Sequence, residues 1–185
     1  MIRDIQVEAE ARMKRAVEAL HTELGKLRTG RAHIGLVEHV RVDYYGSMMP
    51  LNQVANISVP DARTLSIQPW EKKMVQAIEK AIMEADLGLN PATNGEVIRL
   101  PIPALTEERR KELVKVLRQE GEKTRVSVRN VRRDANTEIK ELLKEKMITE
   151  DDEHRAEEVI QKLTDKYVAE VDQVLDAREK DVMTV

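Results

Sequence analysis

Apolar residues recur in steps of three and four along both ends of this chain and alternate in its middle. Ile2, Ile5, Ala9, Met13, Val17, Leu20, Leu24 and Leu27 fall on one face of an amphipathic helix. Gly30 is expected to end it, with Lys26 and Arg28 in the last turn against the negative pole. A second long helix is predicted from Thr106, a good N-cap followed by Glu107 and Glu108 at the positive pole. Its apolar seam reads Leu113, Leu117, Thr124, Val128, Val131, Ala135, Ile139 and Leu142, and it runs to about Lys146. Roughly 40 residues at 1.5 Å each give a rod of about 60 Å. Thr149-Glu150-Asp151-Asp152 resembles a capping box. A third helix follows, with Ala156, Ile160, Leu163, Tyr167, Val171 and Val174 on its apolar face. Three such helices with a short connector at Met147-Ile148 predict a long antiparallel three-helix bundle.

The middle has a different period. Val40 to Tyr44 alternates, then Gly46 turns. Val54 to Val59, Thr64 to Ile67 and Val97 to Leu100 are short β-prone runs. Met74, Ala77, Ile78, Ala81 and Ile82 share one helical face, closed by Leu87-Gly88-Leu89-Asn90-Pro91. All six prolines lie between Pro50 and Pro103, so only the flanks can hold long helices. The fold class expected is α+β. Residues 1–30 and 105–185 form the bundle, and 31–104 form a small inserted α/β domain rich in strands. Two short crossings, near 29–31 and 101–105, allow a hinge rather than a free tether. Gly30, Arg31, Pro101, Pro103 and Leu105 are its candidate residues.

Composition narrows the chemistry. The formal net charge is −3, and cysteine is absent, which excludes disulfides and thiolate metal sites and suits a reducing cytosol. Met1-Ile2-Arg3-Asp4 leads straight into a charged amphipathic pattern, without the apolar core of a signal peptide. No apolar run approaches the length of a membrane span. A cytoplasmic monomer is expected. The histidines His21, His33, His39 and His154 are scattered without metal-ligand spacing. No GxxxxGK loop and no nucleophile constellation occurs, so neither a cofactor nor an enzymatic activity is expected. Trp70, Tyr44, Tyr45 and Tyr167 are the whole aromatic set. They cannot form the stacking platform of a single-strand binder. Of Tyr44 and Tyr45, strand neighbours, one ring should enter the small domain's core and one should stay outside. Trp70 is expected to cover that core.

Charge is segregated. Arg109 to Arg133 carries 10 basic against 3 acidic residues, and Glu150 to Asp181 carries 12 acidic against 5 basic. Arg118, Arg125, Arg129, Arg132 and Arg133 fall within roughly 100° of arc on the second helix, away from its seam. Guanidinium groups match phosphate oxygens bidentately and stay charged, so the strip suggests a nucleic-acid backbone. The ordinary reading of the same arginines is a solvated face, with Glu122 ahead of Arg125 and Arg129, or attraction to the acidic third helix. For Arg109 and Arg110 the simpler reading is pairing with Glu107 and Glu108 or with the third helix. Arg28 is explained by helix capping better than Arg31 is.

Five segments then point to a known family. Lys26-Leu27-Arg28-Thr29-Gly30-Arg31-Ala32, Tyr44-Tyr45-Gly46 before Pro50-Leu51, Ala85 to Pro91, Leu105-Thr106-Glu107-Glu108-Arg109-Arg110-Lys111, and Val128 to Asn136 resemble bacterial ribosome recycling factor, in order and spacing. His33-Ile34-Gly35 stands where that family often has Ser-Pro. The resemblance implies an L-shaped molecule with the bundle as long arm and the insertion as short arm. It implies binding between the ribosomal subunits after termination, and splitting of the ribosome with elongation factor G and GTP. It also implies contact with large-subunit ribosomal RNA through Arg129 and Arg132, with Arg133, Arg125, Arg28 and Arg31 as further candidates. The competing reading is a helical adaptor that binds protein partners through its charged bundle. Salt dependence and ribonuclease sensitivity of the bound material separate the two.

Overall fold

The computed structural model describes residues 1–184; Val185, the last residue of the expected bundle, lies outside them. The chain forms two compact units, 1–29 with 107–184 and 30–106. The first holds α1 (Ile2–Gly25), α3 (Glu107–Lys144) and α4 (Glu150–Met183). The second holds α2 (Val75–Glu84) and strands β1 (Arg41–Tyr44), β2 (Ser47–Pro50), β3 (Ala55–Asp61), β4 (Thr64–Pro69), β5 (Ala92–Asn94) and β6 (Val97–Pro101).

In the bundle all three long helices pack on one another. Met13, Leu20 and Leu24 of α1, Leu113, Leu117, Val128 and Ile139 of α3, and Ile160, Tyr167 and Val171 of α4 are buried along the length of its core. Two seam expectations shift by one position. Leu163 and Val174 are only half-buried, while their neighbours Thr164 and Leu175 face inward. Burying Thr164 is tolerable because its hydroxyl donates to the Ile160 carbonyl at 2.8 Å. Leu175 has a receptor on α3: a Cβ on Gly121 would stand 2.2 Å from its Cδ1. Tyr167 is buried with its hydroxyl donating to Glu10 Oε1 at 2.9 Å, and burial followed by that bond pushes its pKa up to about 12.

The helix ends follow local chemistry. Thr149 and Asp152 form the expected capping box, two reciprocal 3.1 Å bonds that start α4. Asp152's carboxyl is held below the usual aspartate range, chiefly by the Thr149 backbone N–H. At the other end of the connector Lys146 is left-handed (φ 59°), with Lys146 N–H on Leu143 O and Met147 N–H on Leu142 O, both 2.9 Å. This is the Schellman pattern, and it closes α3 at Lys144, two residues short of the expected end. The end of α1 differs more. It stops at Gly25, not at Gly30, and Lys26 caps it through the Glu23 and Leu24 carbonyls. Glycine's low helix propensity allows the early stop, and Arg28 lies beyond the last turn it was expected to occupy.

The second unit is built on two antiparallel sheets, the hairpin β1-β2 and a four-stranded sheet in the order β3-β4-β6-β5. Strands β2 and β5 were not anticipated; both are short and neither has a buried residue, so their composition carries little periodic signal. Leu65, Ile67, Ile98 and Leu100 alternate inward and pack with Ile78 and Ile82 of α2. Pro60 lacks a ladder donor, and the β3–β4 register slips between Ser58 and Asp61. Tyr44 packs on the core edge, and Tyr45 is exposed in a turn with Gly46 where both have positive φ. Both hydroxyls donate to Glu71, at 2.6 and 2.8 Å. Trp70 does not cover the core. It is 59% exposed, because Pro69 takes the buried slot at the end of β4 and the next side chain turns outward.

Candidate nucleic-acid interface

Among the surface grooves that α3 helps to line, two are of opposite character. The first, of about 370 Å³, is lined by Arg129, Arg132, Arg133 and Lys140, with Asn130, Asn136 and Thr137 between them. It has four cations and no carboxylate. Asp134, which follows Arg133 in the chain, is turned to α1, where it accepts from Arg12 Nη2 at 3.1 Å. Helical spacing builds this groove: Arg129, Arg132, Arg133, Asn136 and Lys140 share one face, roughly 110° around the helix from the seam of Val128, Val131, Ala135 and Ile139.

The second groove, of about 630 Å³, is lined by Arg118 and Arg125 together with Glu122, Asp172, Asp176 and Glu179. Here the arginines are engaged. Arg118 Nε donates to Glu179 Oε1 at 3.0 Å. Arg125 donates through Nε and Nη2 to Asp172 Oδ1 at 3.1 and 2.5 Å, and through Nη1 to Glu122 Oε2 at 3.3 Å. The bond from Asp172 raises Arg125's already high pKa further. Its side chain is 23% exposed, against 50% for Arg129.

In the first groove the contacts are weaker. Arg129 Nη1 reaches Glu122 Oε1 at 3.4 Å, the long limit of a hydrogen bond. Arg132 Nη1 donates to the neutral Gln161 amide oxygen at 3.1 Å. Among the described residues no ion pair engages Arg132, Arg133 or Lys140. Several N–H donors therefore face one concave, carboxylate-free surface. Chemically it suits an anion with several oxygens, such as a run of phosphodiesters.

Arg129, Arg132 and Arg133 are brought together as one patch. Arg125 is separated from them by its ion pairs. Arg28 and Arg31 are exposed on the segment after α1, and neither lines the groove. Lys140 was missed by sequence reasoning, although its place seven residues after Arg133 signals the same face. Gln161 was missed because nothing in its own segment marks it. Arg109 pairs locally, with Glu112 at 3.1 Å.

The crossings between the units have their own anchors. Ala32 N–H donates to Ala62 O and Ile102 N–H to Arg63 O, both at 2.7 Å, so one β3–β4 turn grips both segments. Pro101 is the last residue of β6, paired with Thr64. Gly30 is left-handed (φ 76°), and a Cβ there would stand 2.8 Å from Leu105 Cγ, which explains why glycine is needed. His33 Nδ1 accepts from Gly35 N–H at 2.9 Å and caps the short turn Ile34–Val37. Among the described residues no helix is long and apolar enough to cross a membrane.

Comparison with known proteins agrees with this architecture. The chain is 63% identical over 185 residues to the ribosome-recycling factor of Legionella pneumophila strain Corby, covering all of both proteins. It is 61% identical over 184 residues to that of Ralstonia pickettii strain 12J, covering 100% of this chain and 99% of the relative. A solution structure of a ribosome recycling factor superposes with a TM-score of 0.77 at 50% identity, over 100% of this chain and 98% of the other. The Thermus thermophilus factor, described with Escherichia coli elongation factor G bound to the post-termination complex, gives 0.67 at 44% identity over the whole of both chains. The family model for ribosome recycling factor matches residues 20–183. With five diagnostic segments, the bundle-and-insert architecture and these full-length relatives in agreement, the chain belongs to the ribosome recycling factor family.

Proposed function

We propose that this protein is a non-enzymatic translation factor of the cytoplasm. It binds the ribosome after termination as a monomer and, with elongation factor G and GTP, promotes disassembly for a new round of synthesis. Family membership supports the process, and a relative described with elongation factor G on a post-termination complex supports the partnership. The observation that carries the binding mode is the carboxylate-free groove of Arg129, Arg132, Arg133 and Lys140. Its cations grip the phosphate backbone of large-subunit ribosomal RNA, with no demand on base sequence. Arg125 serves the bundle instead, and Arg28 and Arg31 add charge beside the crossing. Gly30, Arg31, Pro103 and Leu105 act as the hinge, since the β3–β4 turn already holds the chain at Ala32 and Ile102. The GTPase supplies the free energy.

The test is Arg132→Ala in co-sedimentation with purified ribosomes across a salt series. Binding should weaken and the log–log salt slope should fall by about one, with the bundle still folded by circular dichroism. Normal binding by the folded variant rejects the groove as the interface.

A further inference from the structure

The ion pairs between α3 and α4 form a ladder with a missing rung. The helices are antiparallel, so a step of seven up one is matched by a step of seven down the other. Arg118 pairs with Glu179, and seven residues on Arg125 pairs with Asp172. The next step brings Arg132 opposite Asp165. That pair is not made. Gln161, one turn along α4, stands in its place. Its Oε1 accepts from Arg132 at 3.1 Å, and its Nε2 donates to Asp165 Oδ1 at 2.9 Å.

We infer that Gln161 is a positioning residue that insulates Arg132 from Asp165, and that this insulation is what leaves the arginine charged toward its anionic partner. The amide is suited to the task because it is both donor and acceptor. It occupies the carboxylate with its NH2 group and holds the guanidinium with its carbonyl, adding no charge. A carboxylate at 161 would hold Arg132 equally well but neutralise it. An alanine would release both groups, and Arg132 would close on Asp165 as Arg125 closes on Asp172. The boundary between the engaged and the available arginines of α3 is therefore set by one residue on the other helix.

The inference rests on the proposed RNA contact of Arg132. The experiment measures binding of the full chain to purified 50S subunits across a salt series, for Gln161→Ala, Gln161→Glu, Asp165→Asn, Gln161→Ala with Asp165→Asn, and Arg132→Ala. Gln161→Ala should weaken binding by about fivefold, the upper worth of one exposed ion pair, and flatten the salt slope. Gln161→Glu should weaken it at least as much. Asp165→Asn should bind as the parent does, and the double variant should return to within about twofold of it, as a coupled pair requires. Gln161 and Asp165 are exposed and Arg132 is half-buried, and thermal melting by circular dichroism checks that each variant folds. Parental binding by Gln161→Ala, or failure of Asp165→Asn to rescue it, overturns the inference. Parental binding by Arg132→Ala instead overturns the RNA contact on which it rests.

Discussion

The two grooves of the bundle share one helix and one kind of cation, yet their charge balances are opposed. Around Arg118 and Arg125 the acidic α4 supplies Glu179 and Asp172, and the groove holds two arginines against four carboxylates. Two turns further on, four cations line a groove with no carboxylate in its wall, and among the described residues only Arg129 of the four reaches an acid, Glu122, at 3.4 Å. A count of charge along α3 does not separate these regions. The difference lies in what α4 presents at each level. A run of arginines on a helix is thus neither a binding site nor a packing device until the neighbouring helix is in register.

The largest expected effect tests what brings α4 close enough to neutralise the upper groove. Gly121 is the level at which Leu175 seats against the α3 backbone. Gly121→Val should cost about 3 kcal/mol in urea unfolding, as an overpacked contact whose nearest neighbour is a branched side chain between two helices. The protein that stays folded should keep its salt slope in ribosome binding, since the lower groove does not use this contact. A loss of less than about 1 kcal/mol would show that the helices separate freely there.

A smaller effect separates the arginines themselves. Arg125→Ala should cost about 1 kcal/mol of stability, at the top of the range for a surface pair, and leave binding to ribosomes unchanged. Arg133→Ala should do the reverse, with stability within about 0.5 kcal/mol of the parent and a salt slope lower by about one. Equal losses of binding in the two variants would erase the contrast between the grooves.

The smallest effect concerns pH. Asp152's lowered value means that its cap contributes stability above the ordinary aspartate pKa and loses it as pH falls through the folded value. Asp152→Asn should therefore be less stable than the parent at neutral pH, with the difference vanishing in acid below the ordinary aspartate range. Urea midpoints over a pH series report it. Asp152 lies outside the groove, so binding should not follow the same curve.

Much was legible from sequence because the determinants are local. A seam in steps of three and four, a Thr-Glu-Asp-Asp start, a proline-rich middle and alternation at Val40 to Tyr44 each act within a few residues of themselves. They gave the three long helices, α2 and four of the six strands, and they placed Arg129, Arg132 and Arg133 on one face. The misses on the α4 seam come from contacts outside the segment. Thr164 and Leu175 displaced Leu163 and Val174 because adjacent residues could each serve the seam, and the neighbouring helices decided which did. Trp70 turned outward because Pro69 filled the buried slot.

The sequence by itself determined the three long helices, α2 and four of the six strands, the apolar side of each long helix, and that α3 is basic while α4 is acidic. All of these follow from the order of side chains along one segment. The tertiary structure alone decided that Arg125 is committed to Asp172, that Asp134 is drawn away by Arg12, and that Gln161 stands between Arg132 and Asp165. Each of those outcomes depends on the register between helices far apart in the chain. That register is set by packing of the buried seam, not by the charged residues whose fate it determines.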